Sequence, residues 1–129
     1  MIFYKDNYER KTVTFDYVER TNCVVSDMYL FENEFQKQIR FRYIYFAPFM
    51  HDTIFDETTL DLINENGEDL VGCISGYPDE FKGFNGVNVQ FAFSGEALPQ
   101  LGEKLSLTMV SCEKREKPYA SCKIEIVIP

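Results

Sequence analysis

At 129 residues and 15.1 kDa the chain fits one domain, residues 1–129, and a chain of this length buries roughly two-thirds of its unfolded surface without needing a metal or disulfides. A formal charge of −8, from 21 acidic against 13 basic residues, repels a polyanion and sets nucleic acid aside as a ligand. Twelve Phe and eight Tyr with no Trp, in a chain 45% hydrophobic and 26% charged, exclude wholesale disorder and lean towards strands, where flat rings pack across a pleated surface.

The opening MIFYKDNYERK has no apolar stretch behind a basic start, so no signal peptide is expected, and no apolar run reaches the length of a membrane span. KTVTFDYV is the first predicted strand, with Val13, Phe15 and Tyr17 alternating against Thr12, Thr14 and Asp16. NCVVSDMYLF is its expected partner. Strict alternation there groups Val24, Ser26, Met28 and Leu30 on one face and Cys23, Val25, Asp27, Tyr29 and Phe31 on the other, leaving apolar groups on both. After the polar turn ENEFQK, QIRFRYIYF sets Ile39, Phe41, Tyr43 and Tyr45 against Arg40 and Arg42. APFMHDTIFDE reads as a connection with a single helical turn over Thr53 to Glu57.

TTLDLINE and EDLVGCIS flank Asn66-Gly67, a pair suited to the two positive-φ positions of a type I′ hairpin. That hairpin sets Ile63 against Leu70, Leu62 against Val71, Leu60 against Cys73, and Glu65 against Glu68, a like-charge pair. GYPDEFKGFNG, rich in Gly, Pro and Asn, reads as a long loop. Three clear strands close the chain: VNVQFAF on Val87, Val89, Phe91 and Phe93; KLSLTMV on Leu105, Leu107 and Met109; SCKIEIVI on Cys122, Ile124, Ile126 and Ile128. The charged EKREKP between the last two is a hairpin loop, and symmetry about Lys117 sets Cys112 opposite Cys122 as a candidate disulfide. Seven or eight short strands without interposed helices predict an all-β antiparallel β-sandwich, immunoglobulin-like in topology, with a small β-barrel as the alternative.

Cys23, Cys73, Cys112 and Cys122 lie too far apart for zinc-ligand spacing and read as reduced, partly buried thiols of a cytoplasmic protein. His51 is the single histidine, so a catalytic or metal site would have to gather around it with Asp52, Asp56 and Glu57; a solvent-facing acidic loop is the simpler reading. A calcium loop with Gly67 in sixth place needs an acid at Leu62 and a Glu at Cys73, and both ends fail. Asp56-Glu57, Glu68-Asp69 and Asp79-Glu80 offer paired carboxylates, but flat Trp platforms for a sugar are absent from the sequence. No nucleophile elbow, P-loop or dinucleotide fingerprint occurs, so neither an enzyme nor a bound cofactor is expected.

Protein recognition is what remains. QIRFRYIYFAPF is the densest aromatic and arginine stretch, and filling a core accounts for only one of its faces. Arg40, Arg42, Ile44, Phe46 and Phe49 are therefore the candidate binding residues for a protein partner. The alternative is a small acidic inhibitor or immunity-type protein that neutralises a basic partner enzyme through its carboxylates.

From residue 58 onward, TTLDLINENGEDL, a Gly-rich loop, VNVQFAFSGEALPQLGEKLSLTMV and the closing KIEIVIP resemble a small bacterial immunoglobulin-like domain. Such domains lie at the C-terminal, outward end of Firmicute membrane proteins related to anti-sigma factors. The likeness spans roughly residues 58–128 and rests on an acidic Asn-Gly turn, an F-x-F strand and the Pro99-led approach to L-x-L. It implies a sandwich and no catalytic residue. Two departures, the start at Met1 without a membrane helix and the four cysteines, lead to the expectation of a free-standing cytoplasmic relative or an excised extracellular domain.

Overall fold

The computed structural model describes residues 9–45, 56–81, 84–95, 98–113 and 118–129. The chain is all-β: β1 (Glu9–Thr21), β2 (Cys23–Val25), β3 (Met28–Glu32), β4 (Gln36–Tyr45), β5 (Asp56–Ile63), β6 (Ile74–Phe81), β7 (Phe84–Ser94), β8 (Lys104–Glu113) and β9 (Pro118–Val127), with a 3-10 turn at Val71–Cys73. All pairings are antiparallel, in the order β5-β8-β9-β1-β3-β4-β7-β6, and β2 adds to β4. The alternating runs dictate this. Every inward position of the last three predicted strands is buried, from Val87 to Phe93, Leu105 to Met109 and Cys122 to Ile128.

One strand joins the two halves of the sheet. Glu9 to Val13 pair with β3, then Thr14 to Thr21 pair with β9, so β1 passes from one layer to the other along its length. Val13, Leu30, Ile39, Phe91, Leu62, Leu107 and Ile124 share a single buried core between the layers. The path is nearly closed, and both a sandwich and a small barrel describe it. Its two ends, β5 and β6, approach at Gly76, where an added Cβ would lie 2.9 Å from Val87 Cγ1 and 3.1 Å from Leu60 Cδ1. Glycine at this point allows the ends to meet.

Two bulges set which side chains face out. On β1 the register shifts between Tyr17 and Glu19, and Val18 is left 60% exposed. Between β2 and β3, the four steps from Val25 to Tyr29 oppose the three from Tyr43 to Arg40. Ser26 fills that irregularity: its N–H donates to the Arg42 carbonyl at 2.9 Å, and its Oγ accepts from the Arg42 N–H at 2.8 Å. The predicted strict alternation through NCVVSDMYLF is therefore corrected. Cys23 and Val25 are buried, and after the extra residue so are Met28 and Leu30, which moves Tyr29 and Phe31 to the outer face.

Four further expectations change. GYPDEFKGFNG is no long loop, because β6 and β7 form a hairpin with Phe81 opposite Phe84. Asp56 and Glu57 belong to β5, not to a helical turn, and residues 53–55 lie outside the described residues. The NENG segment closes one residue differently from a type I′ turn: Gly67 N–H donates to Asn64 O at 3.0 Å, Asn64 N–H to Glu68 O at 3.1 Å, and only Gly67 has positive φ, at 81°. This three-residue loop places Ile63 opposite Asp69, and its Asn64 Oδ1 accepts the N–H groups of Asn66 and Glu68. The chain then departs through the 3-10 turn to β6, which pairs with β7 instead of returning along β5. Cys112 lies opposite Pro118, Cys122 lies opposite Met109, and all four cysteines are free, so the Cys112–Cys122 pairing is not formed.

The approach at Gly76 gives a direct test. Gly76→Ala forces its new Cβ against the branched Val87 side chain and destabilises the fold by about 1–3 kcal/mol, whereas Gly72→Ala, with open space around it, stays within about 0.5 kcal/mol of the parent. Urea denaturation of the two variants measures both.

Candidate functional site

The outer face of the layer built on β3, β4 and β7 carries most of the predicted binding residues. Arg40, Arg42 and Ile44 alternate with the buried Ile39, Phe41, Tyr43 and Tyr45, so they point away from the core. Phe46 and Phe49 lie outside the described residues. Arg40 lies over the Phe31 ring, 4.8 Å from its centroid, and its Nη2 donates to Gln38 Oε1 at 2.6 Å. Arg42 Nε donates to Asn88 Oδ1 at 3.2 Å.

Sequence reasoning missed the rest of this face. Arg10, opposite Phe31 on β1, stands over Tyr29 at 5.0 Å, and Val24 beside Ile44 is 41% exposed. A shallow groove of about 340 Å³ runs over Ser26, Asp27, Tyr29, Phe31, Arg40, Arg42, Asn88 and Gln90. Among the described residues neither Arg10 nor Arg40 forms an ion pair. Their guanidinium groups rest on rings, which leaves their charge directed outward. The missed signal was the Ser26-Asp27 dipeptide, a break in β-propensity that shifts the phase of the strand.

A second, larger recess of about 550 Å³ lies between the NENG turn and residues 98–103. Glu65, Glu68 and Glu103 line it together with Leu98 and Leu101, the latter 82% exposed. Two of these carboxylates also hold backbone: Glu65 Oε1 accepts from Lys104 N–H at 2.9 Å, and Glu103 Oε2 from Gln100 N–H at 3.0 Å. The expected opposition of Glu65 and Glu68 does not form, because Glu68 pairs with Asn64 across the three-residue loop and the Glu65 carboxylate turns towards Lys104.

The buried hydroxyl groups inside the fold are hydrogen-bonded to one another. Ser111 is fully buried, donates to the Tyr43 hydroxyl at 3.2 Å and shares a hydrogen bond of 3.0 Å with Thr58 Oγ1. Burial pushes the Tyr43 phenol well above its ordinary 10.0, with the Ser111 bond working in the opposite direction. Nearby, the buried Cys23 Sγ donates to Ser121 O at 3.1 Å, which sets it beside the buried Cys122. His51 and Asp52 lie outside the described residues, and among the described residues no group of three or more His, Cys, Asp or Glu converges to hold a metal. No helix among the described residues is long and apolar enough to cross a membrane.

Comparison with protein-family models, with curated proteins and with solved structures finds no match to this chain, and nothing in it identifies an anti-sigma-factor-related domain.

The raised Tyr43 phenol has a signed consequence. Its proton is held in the folded state and released on unfolding once the pH passes 10.0, so the stability it carries is complete below 10.0 and is lost as pH rises. Unfolding free energies from denaturant titrations above pH 10.0 fall by about 1.4 kcal/mol per pH unit in the parent relative to Tyr43→Phe, whose slope lacks this proton.

Proposed function

We propose that this chain is a non-enzymatic recognition module whose outer β3-β4-β7 face binds an acidic segment of a protein partner. The observation that carries this reading is a charge inversion. On a chain with net charge −8, Arg10, Arg40 and Arg42 are collected on one sheet face among Tyr29, Phe31, Val24 and Ile44. Interfaces favour this pairing of aromatics with arginine, and the rings beneath Arg10 and Arg40, with the Asn88 amide on Arg42, hold the guanidinium groups in place, so less side-chain freedom is lost on binding. A carboxylate-bearing segment supplies the complementary charge and accepts the forked N–H groups. A cytoplasmic setting, in which the four free cysteines stay reduced, belongs to the same reading, as does an immunoglobulin-like class for the fold.

A second reading has its own observation. The recess lined by Glu65, Glu68 and Glu103 with exposed Leu98 and Leu101 suits a basic amphipathic segment, as an acidic inhibitor of a basic enzyme requires. The two readings place the partner on different surfaces.

Amide chemical-shift mapping separates them. A glutamate-rich peptide interspersed with leucine is expected to shift Tyr29, Phe31, Arg40, Arg42 and Gln90, with affinity falling at least about tenfold in Arg10→Glu/Arg40→Glu and falling with salt. Shifts from a lysine-rich peptide confined to residues 98–103, with none from the acidic peptide, favour the inhibitor and overturn the first reading.

A further inference from the structure

Cys23 opens β2 and Cys122 lies within β9, strands that pair with different neighbours in different layers. Both are nevertheless buried, and Cys23 Sγ donates at 3.1 Å to the carbonyl of Ser121, the residue before Cys122, so the two cysteines are neighbours across the layers. The contact arises from three features of the fold. β1 ends on Thr21 opposite Ser121, Asn22 turns the chain with φ of 56°, and β2 then starts directly across from β9. Tyr17 fixes the far end of β2 by accepting the Val25 N–H at 2.9 Å.

The environment divides the two sulfurs into different roles. The hydrogen bond from Cys122 leads in bringing Cys23 down from 9.0 to about 7, against burial, and the Arg20 guanidinium acts in the same direction. The same bond, together with burial, pushes Cys122 up. Arg20 is held by the Tyr17 ring, 4.5 Å from its centroid. Cys23 is thus the sulfur that ionises more readily and Cys122 the one that keeps its proton, while the neutral Cys23 thiol donates to the Ser121 carbonyl.

We propose that Cys23 and Cys122 form a redox-modification site at which a peroxide closes a reversible disulfide, stapling β2 of one layer to β9 of the other. The Cys23 thiolate attacks a peroxide oxygen; the O–O bond breaks, hydroxide leaves, and Cys23 becomes a sulfenic acid, oxidised by two electrons as the peroxide is reduced. The Cys122 sulfur then attacks the Cys23 sulfur, the S–S bond forms, the S–O bond breaks, and the hydroxide released takes the Cys122 proton as water. In sum, two thiols and one hydrogen peroxide give a disulfide and two waters. With Cys23 Sγ already 3.1 Å from the carbonyl next to Cys122, closing the S–S bond needs no exchange of strand partners. A buried cysteine serving only as a small apolar filler would stay inert.

The test uses the reduced full chain, treated with hydrogen peroxide, alkylated under denaturing conditions and mapped by mass spectrometry. Two of the four thiols are expected to disappear with loss of two hydrogen atoms, in a linked peptide containing Cys23 and Cys122 that dithiothreitol separates. The rate should rise about tenfold from pH 6 to pH 8 as Cys23 ionises. Cys73→Ser/Cys112→Ser should oxidise like the parent, and Cys23→Ser should not close. Four thiols surviving oxidation, a sulfinic acid on Cys23 beside a free Cys122, or linkage of any other pair overturns the proposal. If Cys23→Ser does not fold, Cys73→Ser/Cys112→Ser alone still decides the outcome.

Discussion

The structure depends on β1 serving two layers at once. Glu9 to Val13 complete the ladder of β3, and Thr14 to Thr21 complete that of β9, so a single chain segment couples the register of both halves. Side-chain direction in a strand has a period of two, and a one-residue slip anywhere along β1 would turn Val13 and Phe15 away from the core together. That coupling is why the two layers share one core. It also requires the chain to leave β1 sharply, which Asn22 permits in a left-handed conformation at φ 56°, a region that asparagine tolerates better than most residues.

Each bulge then decides what one surface presents. Without the extra residue between Val25 and Tyr29, Cys23 and Val25 could not share the core with Met28 and Leu30, and Tyr29 and Phe31 would face the interior. The rings lie outside instead, and arginines from the flanking strands settle on them at 5.0 and 4.8 Å. The candidate interface is therefore a product of a backbone irregularity as much as of residue choice. Ser26 stabilises the irregularity with both its backbone N–H and its hydroxyl, so the cost of an interrupted ladder is largely offset at the residue that causes it.

Much of this was legible in the sequence where a strand has one wet face. VNVQFAF, KLSLTMV and SCKIEIVI alternate cleanly because each packs only one side, and the inward sets they name are the buried ones. Legibility fails for two physical reasons. GYPDEFKGFNG carries the residues of a loop, yet tertiary pairing overrides weak propensity: β7 supplies a full antiparallel partner, and Gly76 is needed where the sheet ends approach. NCVVSDMYLF hides a one-residue insertion that periodicity cannot express. Arg40, Arg42 and Ile44 were visible because they share a strand; Arg10, Tyr29 and Phe31 join them only through register, which no local pattern contains.

The short β2 brings these threads together. Three residues paired on one edge make a weak strand, and β2 has β4 as its ladder partner. It is secured by contacts of other kinds: Val25 N–H on the Tyr17 hydroxyl and Cys23 on Ser121 O. Val24, between these two anchored residues, projects beside Ile44 at the margin of the arginine-bearing face. The interior contacts of Cys23 and Val25 thus fix the position of an outer residue through a backbone only three residues long. The segment that closes the gap between the layers also forms the rim of the surface on which the charge is inverted.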